Sequence, residues 1–443
     1  MIFSSIQFLI FFIIFIISLK AFKNQQRLII ILFSFFFYGF WNPLFVFLIL
    51  FFLISSYLFI SKNISLKISI PLTLIPLFYF KYSLFVFRFF NYDTLINYSY
   101  DGNLPLAISF ITFTIIAILV DVKTKKYEER LNFFSLSEFL LYFPQLIAGP
   151  ILRANELIPS LKKKIIFSNE NIRFGILLFA FGFVKKIFFA DSIGNFIDPI
   201  FEKQSVSTSE DFLKAFLLFP LQIYFDFSGY VDMALGISKI LSINLPINFN
   251  KPYLSSSLTD FWRNWHITLS KWFKDYIYIP LGGSRDGKIK LFFNLILTMS
   301  IAGIWHGASL NFVLWGFLNG LFLFVEKKIS KFFKLKNSIK IFITIFIVFN
   351  LWVVFRINDL NFILYFYKTL YSNFFTDLNF ENILLIIFVY FVVLSQKIDN
   401  FDYIQKLSKK INFLILIPIL IIILITGLAI KAGSSEKFIY FDF

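Results

Sequence analysis

The chain has 443 residues, of which 58% are hydrophobic, 22% aromatic and only 15% charged, with a formal net charge of +16. Soluble domains are about half apolar and about a quarter charged, so this composition excludes an ordinary soluble globule and points to a multi-pass membrane protein. The excess Lys and Arg lies in loops, as the positive-inside rule requires, and no nucleic-acid-binding signature accompanies it.

The opening stretch MIFSSIQFLIFFIIFIISLK lacks a basic start and a small-residue cleavage site, so it reads as a retained first helix. Apolar segments are placed at 3–19, 28–40, 43–60, 68–90, 104–120, 140–152, 174–190, 211–240, 291–304, 307–326, 341–356, 381–396 and 411–429. Several are too short to cross a ~30 Å core alone, and about eleven true crossings are expected. No internal repeat is visible, which weighs against inverted-repeat transporter folds. The basic stretches KAFKNQQR, DVKTKKYEER, KKISKFFKLKNSIK and KLSKK mark cytoplasmic loops. Both termini are then expected on the extracytoplasmic side. The segments between 291 and 326 form a hairpin or a re-entrant pair.

Within 143–153, FPQLIAGPILR carries Pro144, Gly149 and Pro150 and predicts a broken helix, with Gln145 as its notable polar group. Irregular backbone at membrane depth is tolerated where it lines a cavity. At 224–236, YFDFSGYVDMALG sets Asp226 in an apolar run, either as a tunnel-lining group or as a cap or partner of an arginine such as Arg263. Region 241–290 is polar and too broken to span. There DFWRNWHITLSKWFKDYIYIPLGG predicts one amphipathic helix with Trp262, Trp265, Leu269, Trp272, Phe273 and Tyr276 on one face. Thr259 or Asp260 would cap its start, and Pro280, Gly282 and Gly283 would end it. Arg263, Lys271 and Lys274 lie off the stripe.

Only two histidines occur, His266 and His306, each inside a Trp-rich motif. An ionisable residue at membrane depth is costly and is a functional hypothesis by default. His306 sits between Gly303 and Gly307, whose small size admits a second backbone or a ligand. Trp305 and Asn311 are its neighbours in sequence. Cysteine is absent, which removes disulfides, thiolate nucleophiles and cysteine-based zinc sites, and no metal site or permanently bound cofactor is expected.

The stretches FPQLIAGPILR, IYFDFSGYVDMALG, NFNKPYLSSSLTDFWRNWHITLSKWFKDYIYIPLGGSR and GIWHGASLNFVLWGFLNG resemble the membrane-bound O-acyltransferase family, in its bacterial alginate and peptidoglycan O-acetylation branch. The resemblance runs in order over about 140–320, and the terminal FIYFDF is similar to that branch's ending. It implies one all-α integral-membrane domain over 1–443, with short and re-entrant helices around a central tunnel. It implies O-acetyl transfer from a cytoplasmic thioester, acetyl-CoA above all, toward a cell-envelope or extracellular polysaccharide. His306 and His266 correspond to the family's two motif histidines and are the expected catalytic residues. Arg263, Trp305, Asn311, Gln145 and Asp226 are candidates for the tunnel or substrate contacts. A separate extracytoplasmic O-acetyltransferase partner and the bacterial inner membrane are implied in the same way. The competing readings are D-alanyl transfer to teichoic acid and non-enzymatic transport of a lipid-linked sugar.

Overall fold

The structure, a computed structural model, describes residues 1–96, 98–100, 102, 104–146, 149–202, 207–285, 287–329 and 335–432. The FIYFDF ending, and with it the C-terminal end whose side of the membrane the lysine pattern assigns, lies outside the described residues, as does 330–334 of the third basic stretch. Among the described residues the regular structure is helical, with no strand. The main helices are α1 (Ile6–Ala21), α2 (Gln26–Gly39), α3 (Phe45–Ser61), α4 (Leu66–Phe89, with a π turn at Phe78–Tyr82), α5 (Ile108–Lys123), α6 (Phe133–Leu141), α7 (Ala154–Leu161) and α8 (Asn169–Val184). A π turn at Lys185–Asp191 leads into α9 (Ser192–Glu202), followed by α10 (Ser209–Ile240), α11 (Leu258–Asn264), α12 (Ile267–Phe273), α13 (Gly287–His306) and α14 (Leu310–Ile329). The chain continues with α15 (Asn337–Arg356), α16 (Leu360–Asn373), α17 (Phe380–Ser395), α18 (Phe401–Lys410) and α19 (Phe413–Ala432).

Short polar residues start these helices by taking an otherwise unsatisfied backbone donor. Ser5 accepts from Phe8 N at 3.2 Å, Asn132 from Ser135 N at 2.8 Å and Asn379 from Asn382 N at 2.9 Å. Segment 140–152 is broken, as its Pro and Gly residues predict. One turn at Phe143–Leu146 follows α6, and a Cβ on Gly149 would lie only 2.4 Å from Gln145 Cα.

The chain folds as two compact units, the first formed by 1–182, 230–246 and 408–429, the second mainly by 183–229 and 247–407. In the first, Phe143 meets Phe11 and Phe15 edge-on at 5.3 and 5.2 Å, and a buried Glu138 is held by Arg27, whose Nε donates at 2.8 Å. The outward side of α1 is nonetheless apolar, with Ile6, Ile10, Ile13, Ile14 and Ile17 all exposed. A helix that is hydrophobic all round suits lipid rather than water. Among the described residues three helices are long and apolar enough to cross a membrane alone, α4, α13 and α15. Others, including Ile6–Ala21 and Phe380–Ser395, are apolar but shorter.

The second unit is organised by the hairpin of α13 and α14. A Cβ on Gly303 would sit 2.0 Å from Phe312 O, one on Gly316 2.3 Å from Met299 O, and one on Gly320 2.8 Å from Ile296 Cα. The partners ascend one helix as they descend the other, so the two backbones run antiparallel in direct contact. Such spacing is how small residues let apolar helices associate where no hydrophobic drive exists. Gly303→Val and Gly316→Val should each lower the thermal midpoint of the detergent-purified protein, since overpacking costs about 1–3 kcal/mol. The exposed Phe342→Leu should change it by less than about 0.5 kcal/mol. Melting curves of the three variants check this, and unaltered midpoints for both glycine variants would refute the close contact.

Candidate functional site

His306 is the last residue of α13, at the turn of the hairpin, and is 5% exposed. Its ring is enclosed edge-on by Trp305 at 4.8 Å, Trp315 at 5.3 Å and Phe355 at 5.0 Å. Asn311 acts on this enclosure indirectly. Its Nδ2 donates to Val354 O at 3.3 Å and Phe355 O at 2.9 Å, so it fastens the end of α15 that carries Phe355.

The single amphipathic helix expected around His266 is in fact broken at that residue. α11 ends at Asn264, α12 begins at Ile267, and His266 between them has φ +42°. A non-glycine residue there is strained and persists only where its surroundings over-determine it. Asn248 supplies the constraint. Its carbonyl accepts from Ile267 N at 3.0 Å, and its Oδ1 accepts from Thr268 N at 3.1 Å and Thr268 Oγ1 at 2.7 Å. The cap of α11 also differs from expectation. Ser257 accepts from Asp260 N at 3.0 Å, and Glu326 of α14 accepts from Thr259 N at 3.1 Å and Thr259 Oγ1 at 2.9 Å. A carboxylate suits a helix N-terminus, and here it ties α11 to the hairpin. The close at 280–283 follows expectation, with φ +104° at Gly282 and +62° at Gly283, and Asn294 donates to Gly283 O at 2.9 Å.

The break brings the two histidines toward one another. His266 is 1% exposed, lies 4.7 Å from Phe227 and 6.1 Å from Trp305, and Trp305 in turn contacts His306. Trp305 therefore contacts both imidazoles. Trp265, the residue before His266, packs on Trp352 at 4.9 Å and Phe261 at 5.6 Å.

A cavity of about 140 Å³ opens beside His306. Its walls are mostly apolar, with Leu269, Phe273, Leu295, Met299, Ala302 and Leu323, and the residues His306, Thr298, Ser270, Lys274 and Tyr278 also line it. Trp262 and Trp315 complete it, with Trp262 steered by donation from Nε1 to Asn319 Oδ1 at 3.2 Å. Thr298, Ala302 and His306 recur every four residues on α13, a pattern readable in the sequence but not singled out from it. Ser270, Tyr278, Asn248 and Glu326 carried no comparable signal.

The remaining candidates lie elsewhere. Arg263 is 73% exposed and pairs with Asp260 at 3.2 Å. Asp226 pairs instead with Lys186 at 2.6 Å, and Lys186 also pairs with Asp191 at 2.6 Å, all three buried. Gln145 belongs to the first unit, where its Nε2 donates to Phe139 O at 2.7 Å and its buried Oε1 has no hydrogen-bond partner. Among the described residues no three His, Cys, Asp or Glu side chains gather to hold a metal.

Burial lowers the pKa of His266 from 6.5 to about 3, so the ring is neutral at physiological pH. The unfolded chain binds this proton near pH 6.5 and the folded chain does not. The stabilisation is therefore complete above pH 6.5 and is lost progressively as pH falls toward 3. The melting midpoint should drop through that window, and His266→Gln should flatten the dependence. Parallel slopes for the two proteins between pH 4 and 7 would contradict the assignment.

Residues 27–367 match the family described as MBOAT, membrane-bound O-acyltransferase family. The chain is 39% identical over 384 residues to a peptidoglycan O-acetyltransferase of Helicobacter pylori, covering 75% of this chain and 71% of that protein. It is 38% identical over 271 residues to a Pseudomonas aeruginosa protein named "Probable alginate O-acetylase AlgI", spanning 61% of this chain and about half, 52%, of the relative. A teichoic acid D-alanyltransferase of Streptococcus thermophilus is 28% identical over 242 residues, half of this chain and 56% of its own length. Both histidine motifs fall inside the matched span, and the chain belongs to the membrane-bound O-acyltransferase family, an acyl-transferring enzyme of the membrane.

Proposed function

We propose that the protein transfers an acetyl group from a cytoplasmic thioester, acetyl-CoA, for O-acetylation of a cell-envelope polysaccharide. The observation that carries this reading is the placement of His306 in an apolar cavity that also receives Lys274, with His266 one tryptophan away. The names of the relatives support the acetyl group and the polysaccharide class. In the transfer, His306 takes the proton of the attacking hydroxyl as the new C–O bond forms. The C–S bond then breaks, and the thiolate leaves with that proton as a thiol. General-base help of this kind is worth about 10²–10⁴-fold. Neutral His266 shapes the site through its contact with Trp305.

The coenzyme's phosphates meet cations at the cytoplasmic mouth. Lys274 lines the His306 cavity, whereas Arg263 projects into solvent with Asp260, as a contact farther out. Gln145 and Asp226 remain proposed tunnel contacts. We place the 1–443 domain in the bacterial inner membrane with both termini extracytoplasmic. About eleven crossings are assembled from helices of 14–32 residues, some shorter than the ~30 Å core and so needing a thinned bilayer. A second, extracytoplasmic O-acetyltransferase carries the acetyl group onward to the polysaccharide. D-alanyl transfer is the competing chemistry, and the lower identity to the relative of that name weighs against it.

His306→Ala should lower kcat for acetyl transfer at least about 10²-fold in a folded protein, and cells carrying it should lose O-acetyl groups from their envelope polysaccharide by NMR and mass analysis. Unchanged O-acetylation, or loss of D-alanine esters in its place, would overturn the reading. Donor titration separates the two cations. Lys274→Ala should raise the donor KM about tenfold, the value of one hydrogen bond to a charged group. Arg263→Ala should raise it less. An unchanged KM in Lys274→Ala would remove that residue from the donor mouth.

A further inference from the structure

Thr298 lines the cavity beside His306 and is 6% exposed, and its Oγ1 is buried without a hydrogen-bond partner. A buried hydroxyl left unsatisfied is costly, and a threonine inside a helix has a ready remedy, donation to the carbonyl four residues earlier. Other helical threonines of this chain take it. Thr73 donates to Ser69 O at 2.8 Å, Thr114 to Phe110 O at 2.9 Å, Thr344 to Lys340 O at 2.9 Å and Thr426 to Ile422 O at 2.7 Å. Thr298 does not donate to Asn294 O. Thr112 shares the lack of a bond but does not line this cavity. In an enclosure walled by leucine, phenylalanine and methionine, an unspent hydroxyl is a feature that favours a polar ligand atom over none.

The helix supplies a ruler. Thr298 and His306 are eight residues apart on the same side of α13, a rise of about 12 Å at 1.5 Å per residue. The thiol arm shared by coenzyme A and acyl-carrier thioesters holds its second amide eight bonds from the acyl carbon. That is roughly 10 Å when extended, at about 1.2 Å per bond. An arm laid along Thr298, Ala302 and His306 thus brings an amide to the hydroxyl when the acyl carbon is level with the imidazole. Lys274 and Tyr278 line the same cavity, and the cation is available to the arm's anionic end.

We propose that Thr298 is a donor-positioning residue, its hydroxyl hydrogen-bonding an amide of the thioester's thiol arm so that the acyl carbon stops at His306. This rests on the acyl-thioester reading above. The test uses the full-length purified protein, with acetyl-CoA, an acetylated carrier protein and an amide-free acetyl alkanethioester as donors. Thr298→Val should raise the donor KM about three- to tenfold, the value of one neutral hydrogen bond, with kcat nearly unchanged. Thr298→Ser should restore the wild-type KM. The amide-free thioester should not distinguish Thr298→Val from wild type. The melting midpoint of Thr298→Val should be equal or higher, because the lost hydroxyl holds nothing in the unliganded protein. A KM shift with acetyl-CoA assigns the arm to the coenzyme, and one with the carrier protein assigns it there. An unchanged KM, an equal shift with the amide-free donor, or a lowered midpoint overturns the role of Thr298 while leaving acetyl transfer intact. If wild type turns over neither acetyl-CoA nor the carrier thioester, the acyl-thioester reading itself falls, and this inference with it.

Discussion

The backbone contact between α13 and α14 is the constraint on which the site depends. Gly303, Gly316 and Gly320 leave no space for a side chain between the two helices. That closeness fixes the turn at 307–309, and so the position of His306 at its edge. It also places Trp315 against the imidazole and Asn319 against Trp262. Glu326, farther along α14, then holds the start of α11. One interface of small residues thereby sets both His306 and the wall of the cavity in front of it. Sites borne on rigid helices hold their geometry better than sites borne on loops.

Around this hairpin the second unit buries several charges, and it does so in matched sets. Lys186 lies between Asp191 and Asp226, Lys185 pairs with Asp399 at 2.9 Å, and Tyr224 donates to the same carboxylate at 2.7 Å. Arg356 reaches Asp198 at 3.1 Å, beside Gln222, as a part-exposed pair to which the buried-ion cost does not apply in full. An isolated ion in an apolar interior is prohibitive, and removal of one partner typically costs about 3–5 kcal/mol. Residues 222, 224 and 226 of α10 are thus tied to α9, to the π turn before it and to the segment after α17. The polar run in YFDFSGYVDMALG accordingly serves a structural network, whatever else Asp226 does.

Much of this was legible in the sequence because the signals are local. Apolar runs located most of the long helices to within a few residues but passed over α6, α7, α9, α16 and α18, and Pro144, Gly149 and Pro150 announced the break after α6. The scarcity of histidine, with glycine on either side of His306, marked the hairpin turn as the place to look. What was not legible depends on distant partners. The left-handed turn at His266 is imposed by Asn248, which precedes it by eighteen positions. Helical periodicity alone therefore ran straight through it. The partner of Asp226 proved to be Lys186, forty positions upstream, rather than an arginine of the next polar segment. Membrane crossings are harder to count than helices, because length decides crossing, and many helices here fall near the threshold.

The central claim is that an acyl thioester lies along α13 with its carbonyl carbon at His306. The most direct measurement is a structure of the protein bound to a non-hydrolysable acetyl-thioester analogue in a lipid nanodisc. The account predicts the analogue in the cavity bounded by Leu269, Ala302 and Trp315, with its acyl end within hydrogen-bonding reach of the His306 ring, about 3 Å. An analogue bound elsewhere, with this cavity still filled only by its own side chains, would contradict it.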